Sequence, residues 1–176
     1  SAFKPFVFAA AFQASTDPPE QRKGRRALTP ATVVNDVPTT FRFQGQSYQP
    51  HNFHNQYYGA ISLRRALAKS ANIAAVKVAE ETGYEHVAAL ARQLGLAQGM
   101  AATPALALGA YEVTPLALAG AYRVFAQQGQ WSPAFLVERA RDQLGVLHVE
   151  QTRPQRVLDE RANFLAVSLL AGVLRS

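Results

Sequence analysis

Between Phe3 and Phe12 the chain sets Phe3, Phe6, Val7, Phe8, Ala9, Ala10, Ala11 and Phe12 around a single charge, Lys4. A helix over Ala2–Ala14 with these residues is apolar on every face, and a helix of that kind has to be surrounded by protein. Pro5 is compatible with it only at the first turn, where a missing N–H costs nothing. Ser1 suits the N-cap, at the positive end of the helix. The stretch is far shorter than the about 20 apolar residues that span a bilayer, and no other run approaches that length. No signal peptide is recognisable. The expectation is therefore a piece of a longer chain, with any export signal and membrane anchor elsewhere.

A length of 176 residues suffices for one domain with its own core, and 48% hydrophobic against 17% charged content is globular rather than disordered. The absence of cysteine excludes disulfides and thiolate zinc sites. The net charge of +6 rests on arginine, the only lysines being Lys4, Lys23, Lys69 and Lys77. Such a balance suits nucleic acid, an anionic membrane surface or an acidic substrate. The arginines are scattered, however, and the one cluster, Arg22-Lys23-Gly24-Arg25-Arg26, is expected to be a solvated loop.

Local signals divide the rest. STDPPEQRKGRRALTP is a loop by its prolines, charges and glycine. TFRFQGQSYQP alternates around Gln44-Gly45 and predicts a short hairpin. Ser62 caps a helix, LRRALAK, which breaks at Ser70-Ala71-Asn72. IAAVKVAEET then runs to Gly83, and YEHVAALARQL to Gly95, each glycine marking a helix end. A loose stretch, AQGMAATP, leads to ALALGAYE. Thr114 caps PLALAGAYRVFAQQ, with Pro115 at its first position and Gly129 after it. FLVERARD and GVLHVE have strand character around a turn at Gln143 to Gly145, and Asp159 caps ERANFLAVSLLAGVL. The material is mostly helical, with one or two hairpins and few strands for a sheet.

Two of these places carry chemistry. A serine hydroxyl is a weak nucleophile until a base takes its proton. Ser1 and Lys4, three apart on a helix, share a face. A lysine is a base only when neutral, and burial disfavours its charged form. Bringing it from ~10.4 to near 7 requires about 4 to 5 kcal/mol of differential destabilisation. The apolar helix behind Lys4 supplies part of that. At the helix break, Ser70 and Asn72 present a hydroxyl and an amide at a corner. Either short motif alone has a plain structural explanation, a helix cap in one case and a chain reversal in the other. Ser-x-x-Lys followed by Ser-x-Asn is the combination that marks penicillin-binding proteins and serine β-lactamases.

The longer phrases carry the resemblance further. SAFKPFVFAAAF, LTPATVVNDVPTTF, YQPHNFHNQYYGAISLRRALAKSANIAAVKVAEETG and LALGAYEVTPLALAGAYRVFAQQG resemble the transpeptidase domain of class A, bifunctional penicillin-binding proteins, over essentially the whole chain. The fold implied is α+β and β-lactamase/transpeptidase-like. Residues 1–176 would be mainly its helical part, with one or two hairpins and the central sheet largely missing. They would run from the nucleophile helix to just before the third-motif strand. By the same resemblance Ser1 would accept the acyl group, Lys4 would be its base and Ser70 would relay a proton to the leaving group. Asn72 would hydrogen-bond the donor peptide or Lys4. The substrates implied are peptidoglycan stem peptides ending in D-Ala-D-Ala, with β-lactam antibiotics as their mimics. No cofactor, metal or nucleic acid enters. Membrane association comes through an anchor outside the segment, on the extracytoplasmic, periplasmic face of the inner membrane. A glycosyltransferase domain lies upstream, and other cell-wall synthesis proteins are possible partners.

The chain departs from the family at the third motif, Lys-Thr-Gly or Lys-Ser-Gly, since no lysine follows Lys77. That strand furnishes one oxyanion-hole N–H, and losing such a donor costs ~3 to 4 kcal/mol of transition-state stabilisation. These residues alone are expected to be inactive and unstable, with the nucleophile helix exposed on one side. Three other readings stay open. An N-terminal-nucleophile hydrolase would use the Ser1 amine as base, but it requires two stacked sheets. A non-catalytic module on the same fold would sense β-lactam or peptidoglycan. A serine β-lactamase would need a deacylating carboxylate, and Glu80, Glu81 and Glu85 are expected to be solvated. His51-x-x-His54 lacks a third ligand of suitable spacing. Tyr57, Tyr58 and Trp131 are expected to pack or to form a rim, and Arg64 and Arg65 to face solvent.

Overall fold

The computed structural model describes residues 1–96, 99–135, 137, 139–145, 147–149 and 153–175. The apolar segment forms α1, Lys4–Thr16, and every residue from Phe3 to Phe12 is buried. The helix ends where it does because Asp17 precedes Pro18. Steric conflict with a following proline drives a residue out of the α region, and Asp17 is extended at φ −64°, ψ 145°. The start lies later than the sequence suggests. Phe3 is the N-cap residue and Ser1 precedes it, its Oγ accepting the Phe3 N–H at 3.3 Å rather than capping the helix itself.

A β-pair unseen in the sequence follows. β1, Val33–Asp36, runs antiparallel to β4, Gly59–Ser62, with Asp36 opposite Gly59. Between them β2, Phe41–Phe43, and β3, Gln46–Tyr48, make the expected hairpin, with Gln44 and Gly45 both at positive φ in its turn. The helices come at the predicted places: α2, Leu63–Ala68; α3, Asn72–Thr82; α4, Tyr84–Gln93; and α5, Pro115–Ala126. Ser62 accepts the Arg65 N–H and Thr114 that of Ala117, as N-caps do. A 3-10 turn, Pro104–Leu108, lies before α5.

Beyond α5, β5, Gln130–Trp131, pairs with β8, Gln155–Arg156, while β6, Arg139–Arg141, pairs with β7, Leu147–Val149, as the second hairpin. Leu136, Glu138, Val146 and Glu150 of that hairpin's predicted strands lie outside the described residues, as do Ala97 and Gln98 of the loose stretch. The last helix, α6, Glu160–Val173, starts at Asp159, whose carboxylate accepts the Arg161 N–H at 2.8 Å. Among the described residues the sheets are all two-stranded, which leaves the architecture predominantly helical.

α1 is the central element, packed by α3, α4 and α6. The expectation that one of its sides would be exposed is corrected: every residue from Phe3 to Phe12 is buried, α6 is among the helices packed on α1, and Gln13 accepts the Asp159 N–H at 2.7 Å. Arg64 donates to the Ser168 carbonyl at 2.7 Å and ties α2 to α6, so it does not simply face solvent. Exposed apolar side chains include Leu116 of α5 and Phe164 and Leu174 at α6, together with Phe53 and Leu144 in the turns. The basic run is not wholly solvated either. Arg26 binds Glu81 of α3 through both guanidinium and carboxylate, and Arg25 lies 3.3 Å from the His86 ring on α4. Tyr57, Tyr58 and Trp131 pack against the core as expected.

Candidate functional site

Lys4 is the first residue of α1 and is only 2% exposed. Its ammonium group donates to three acceptors at the turn between α2 and α3. These are the Ser70 carbonyl, Ser70 Oγ at 2.9 Å and Asn72 Oδ1 at 2.6 Å. Three donors meet three acceptors, so the charged form is completely hydrogen-bonded. Burial nonetheless lowers the Lys4 pKa to about 8, with the Asp36 carboxylate pulling the other way. A pKa of about 8 leaves roughly a tenth of the molecules with a neutral amine at pH 7. In that form the nitrogen has one lone pair to use and Ser70 Oγ–H as a partner that can turn to donate.

The corner that holds Lys4 is a strained one. Ser70 takes φ +52°, a left-handed conformation that a β-carbon disfavours. The strain puts its carbonyl and its hydroxyl on the same nitrogen. Asn72, the first residue of α3, reaches back to Lys4 with its oxygen and donates its Nδ2 to the His51 carbonyl at 2.6 Å. That second bond fixes which end of the amide faces the lysine.

Ser1 sits apart from this triad. It lies ahead of α1 rather than on its face, and its hydroxyl donates to the Leu108 carbonyl at 2.9 Å, not to Lys4. The contact depends on Gly109, which ends the 3-10 turn at φ +72°. A β-carbon there would meet Phe3 Cβ at 2.8 Å and Ser1 Oγ at 3.0 Å. A glycine is needed both for the dihedral and for the approach. Tyr122 of α5 closes the same side by donating to the Ala2 carbonyl at 2.7 Å.

The sequence reading thus found Lys4, Ser70 and Asn72, which the structure brings into contact, and Ser1, which it places on the adjoining turn. It missed Asn52, Asp36 and Gly109. Asn52 is buried and its Oδ1 accepts the N–H of Asn72 at 2.7 Å and of Ile73 at 3.1 Å, capping α3 from twenty residues upstream. Only the phrase YQPHNFHNQYYG hinted at it, and no local rule ties that asparagine to that helix. The glycine after ALAL carried no assignment in the sequence, and nothing there tied it to Ser1. His51 turns its ring to the Tyr57 hydroxyl at 3.3 Å, and among the described residues no three potential ligands gather around a metal position.

A central buried helix, helices on its flanks and a serine–asparagine corner at its N-terminal end make this the helical part of the β-lactamase/transpeptidase-like fold. The chain superposes over its full length on penicillin-binding protein 1A from Haemophilus influenzae, with a TM-score of 0.83, 26% identity and 29% of that chain covered. Residues 1–163 match the penicillin-binding protein transpeptidase domain, and the chain belongs to that family. It is 33% identical over 150 residues to penicillin-binding protein 2D of Bacillus subtilis (strain 168), covering 83% of this chain and 22% of the relative. Penicillin-binding protein 1A of Pseudomonas aeruginosa is 32% identical over 160 residues, covering 89% and 18% respectively. The resemblance to class A proteins therefore holds, and the chain spans about a fifth of the length of these relatives. Penicillin-binding protein A from M. tuberculosis, solved as an imipenem acyl-enzyme complex, shares the fold at 22% identity and a TM-score of 0.76.

Proposed function

We propose that this chain is the part of a peptidoglycan D,D-transpeptidase domain that carries the nucleophile, its base and the proton-relaying corner. Neutral Lys4 takes the Ser1 hydroxyl proton as Ser1 Oγ bonds to the penultimate D-Ala carbonyl carbon. The C–N bond to the terminal D-Ala then breaks, and its nitrogen receives a proton through Ser70. The amine of a second stem peptide attacks the ester, forms the cross-link and restores the Ser1 hydroxyl. β-Lactams follow the first half and remain as an ester. The reaction is acyl transfer, and proton transfer by a positioned base typically contributes 10²–10⁴-fold to such a step. Before it, Ser1 must release the Leu108 carbonyl and turn to the amine.

The observation that carries this reading is the buried Lys4 amine, its pKa lowered to about 8 and its nitrogen held by Ser70 and Asn72. The Lys-Thr-Gly motif and the second oxyanion donor belong, on this reading, to parts of the protein outside residues 1–176, as do the membrane anchor and glycosyltransferase domain. The site would face the periplasm. A fluorescent penicillin added to the full-length protein should label the Ser1 peptide by mass spectrometry and should not label Ser1→Ala. The segment 1–176 alone should stay unlabelled. Labelling at another residue, or none with intact protein, sinks the assignment. A second reading, favoured by the Ser1–Leu108 hydrogen bond, is a β-lactam- or peptidoglycan-sensing module. It predicts stoichiometric acylation without peptide cross-linking.

A further inference from the structure

We propose that Asn52 and Asp36 are positioning residues for the acyl-transfer step: Asp36 anchors Asn52, and Asn52 clamps the start of α3 so that Asn72 holds the Lys4 amine against Ser70. This rests on the transpeptidase reading. A continuous chain of hydrogen bonds joins four segments remote in sequence. Asp36 Oδ2 accepts Asn52 Nδ2 at 2.8 Å, and Asn52 Oδ1 accepts the Asn72 N–H at 2.7 Å. Asn72 Oδ1 in turn accepts from Lys4 Nζ at 2.6 Å. Asn52 Nδ2 also donates to the Gln56 carbonyl at 2.9 Å, so both amide hydrogens are spent, and its oxygen takes two N–H groups. A side chain satisfied on every side has one orientation.

Three features take this beyond an ordinary helix cap. The N-cap residue of α3 is Ala71, which has no capping side chain, and the substitute comes from twenty residues upstream. It binds the very residue whose side chain meets Lys4. The residue next to it, His51, gives the carbonyl that fixes the Asn72 amide. Motion of the 51–52 segment therefore moves both the backbone and the side chain of Asn72.

Asp36 is unusually placed for a charged residue. It is fully buried at the end of β1, where Oδ2 also accepts the Tyr58 N–H at 3.0 Å while Oδ1 finds no hydrogen-bond partner among the described residues. A buried carboxylate is costly, and hydrogen bonds together with a nearby opposite charge offset part of that cost. The charge at hand is Lys4, whose proton Asp36 helps to retain against burial. Among the described residues Lys4 makes no direct ion pair, and the two asparagines stand between the charges. The groups hydrogen-bonded to Lys4 are neutral, Ser70 and Asn72 from the α2–α3 corner, and the other charge it faces is the Ser1 α-ammonium, which repels it. The His51 ring is turned to Tyr57.

The test is acylation of the full-length protein by a fluorescent penicillin, resolved into binding constant and acylation rate constant across neutral to alkaline pH. Asn52→Ala should lower the rate constant roughly tenfold or more while binding changes far less, as expected when geometry rather than affinity is lost. Asn52→Asp keeps an acceptor for the Asn72 and Ile73 N–H groups but puts an oxygen where Nδ2 donated to Asp36 and the Gln56 carbonyl, so it should not restore the rate. Asp36→Asn keeps the acceptor for Asn52 and deletes the charge, so the midpoint of the pH profile should move to lower pH. Folded Asn52→Ala and Asp36→Asn proteins with the wild-type rate constant and midpoint would overturn the proposal. If Asn52→Ala does not fold, Asp36→Asn decides it. If the wild type is not acylated at Ser1, the transpeptidase reading itself has failed. NMR titration of the Lys4 amine in Asp36→Asn then decides the coupling, and an unmoved midpoint refutes it.

Discussion

The two ends of α1 hold basic groups under opposite conditions. At the N-terminal end the Lys4 ammonium is buried, surrounded by three neutral acceptors, and its pKa is lowered. Near the other end Arg26 is half-exposed, paired with Glu81, and its pKa is raised by that hydrogen bond. Charge in solvent is screened and contributes little. Charge in the core is expensive, and at Lys4 three hydrogen bonds converge to offset part of that cost. The contrast separates a base in the making from a surface tether.

The largest effect should come from Lys4→Met, which keeps the apolar stem and removes the amine. Acylation of the full-length protein should fall by about 10²–10⁴, the usual worth of a general base. Retained acylation would make Lys4 structural and erase the contrast.

Next comes stability against pH. The folded Lys4 pKa is about 8, against 10.5 when unperturbed. Below about 8 both states hold the proton and the full cost of burial is present. Between about 8 and 10.5 the unfolded state binds more protons, so stability rises with pH through that window. The gain is about 3 kcal/mol, measured as the difference between wild type and Lys4→Met in denaturant unfolding. A difference that stays flat with pH would place the Lys4 charge in solvent. Acylation should likewise rise through about pH 8.

Gly109→Ala forces a β-carbon into a left-handed conformation and against Phe3 and Ser1. It should destabilise by about 1–2 kcal/mol in thermal unfolding and slow acylation. An unchanged melting temperature would mean that the turn yields freely. The smallest effect is Arg26→Ala. Breaking an exposed pair should cost less than about 1 kcal/mol, diminish with salt and leave acylation alone. A large loss would show that the two ends of the helix are not independent.

Much of this was legible in the residues. The eight apolar side chains from Phe3 to Phe12 dictated a buried helix, and the caps at Ser62, Thr114 and Asp159 fell where expected. Gln44-Gly45 announced its hairpin. The chemistry-bearing set of Lys4, Ser70 and Asn72 came from motif spacing, and the resemblance of the longer phrases to class A transpeptidase domains named the family. These signals act within one turn of helix or one hairpin, and such interactions are written in neighbouring residues.

What only the tertiary structure decided lies across long loops. The pairing of Val33–Asp36 with Gly59–Ser62 closes over more than twenty residues, and no alternation in either strand specifies the other. Asn52 caps a helix it does not adjoin, and Asp36 acts on a lysine in the helix that begins the chain, well outside local reach. Ser1 turned out to bond Leu108, because the 3-10 turn before Gly109 comes to rest against the start of α1. A hydrogen bond reaches about 3 Å. Which distant atoms come within that reach is set by how the whole chain packs, and the residues on either side of each atom do not encode it.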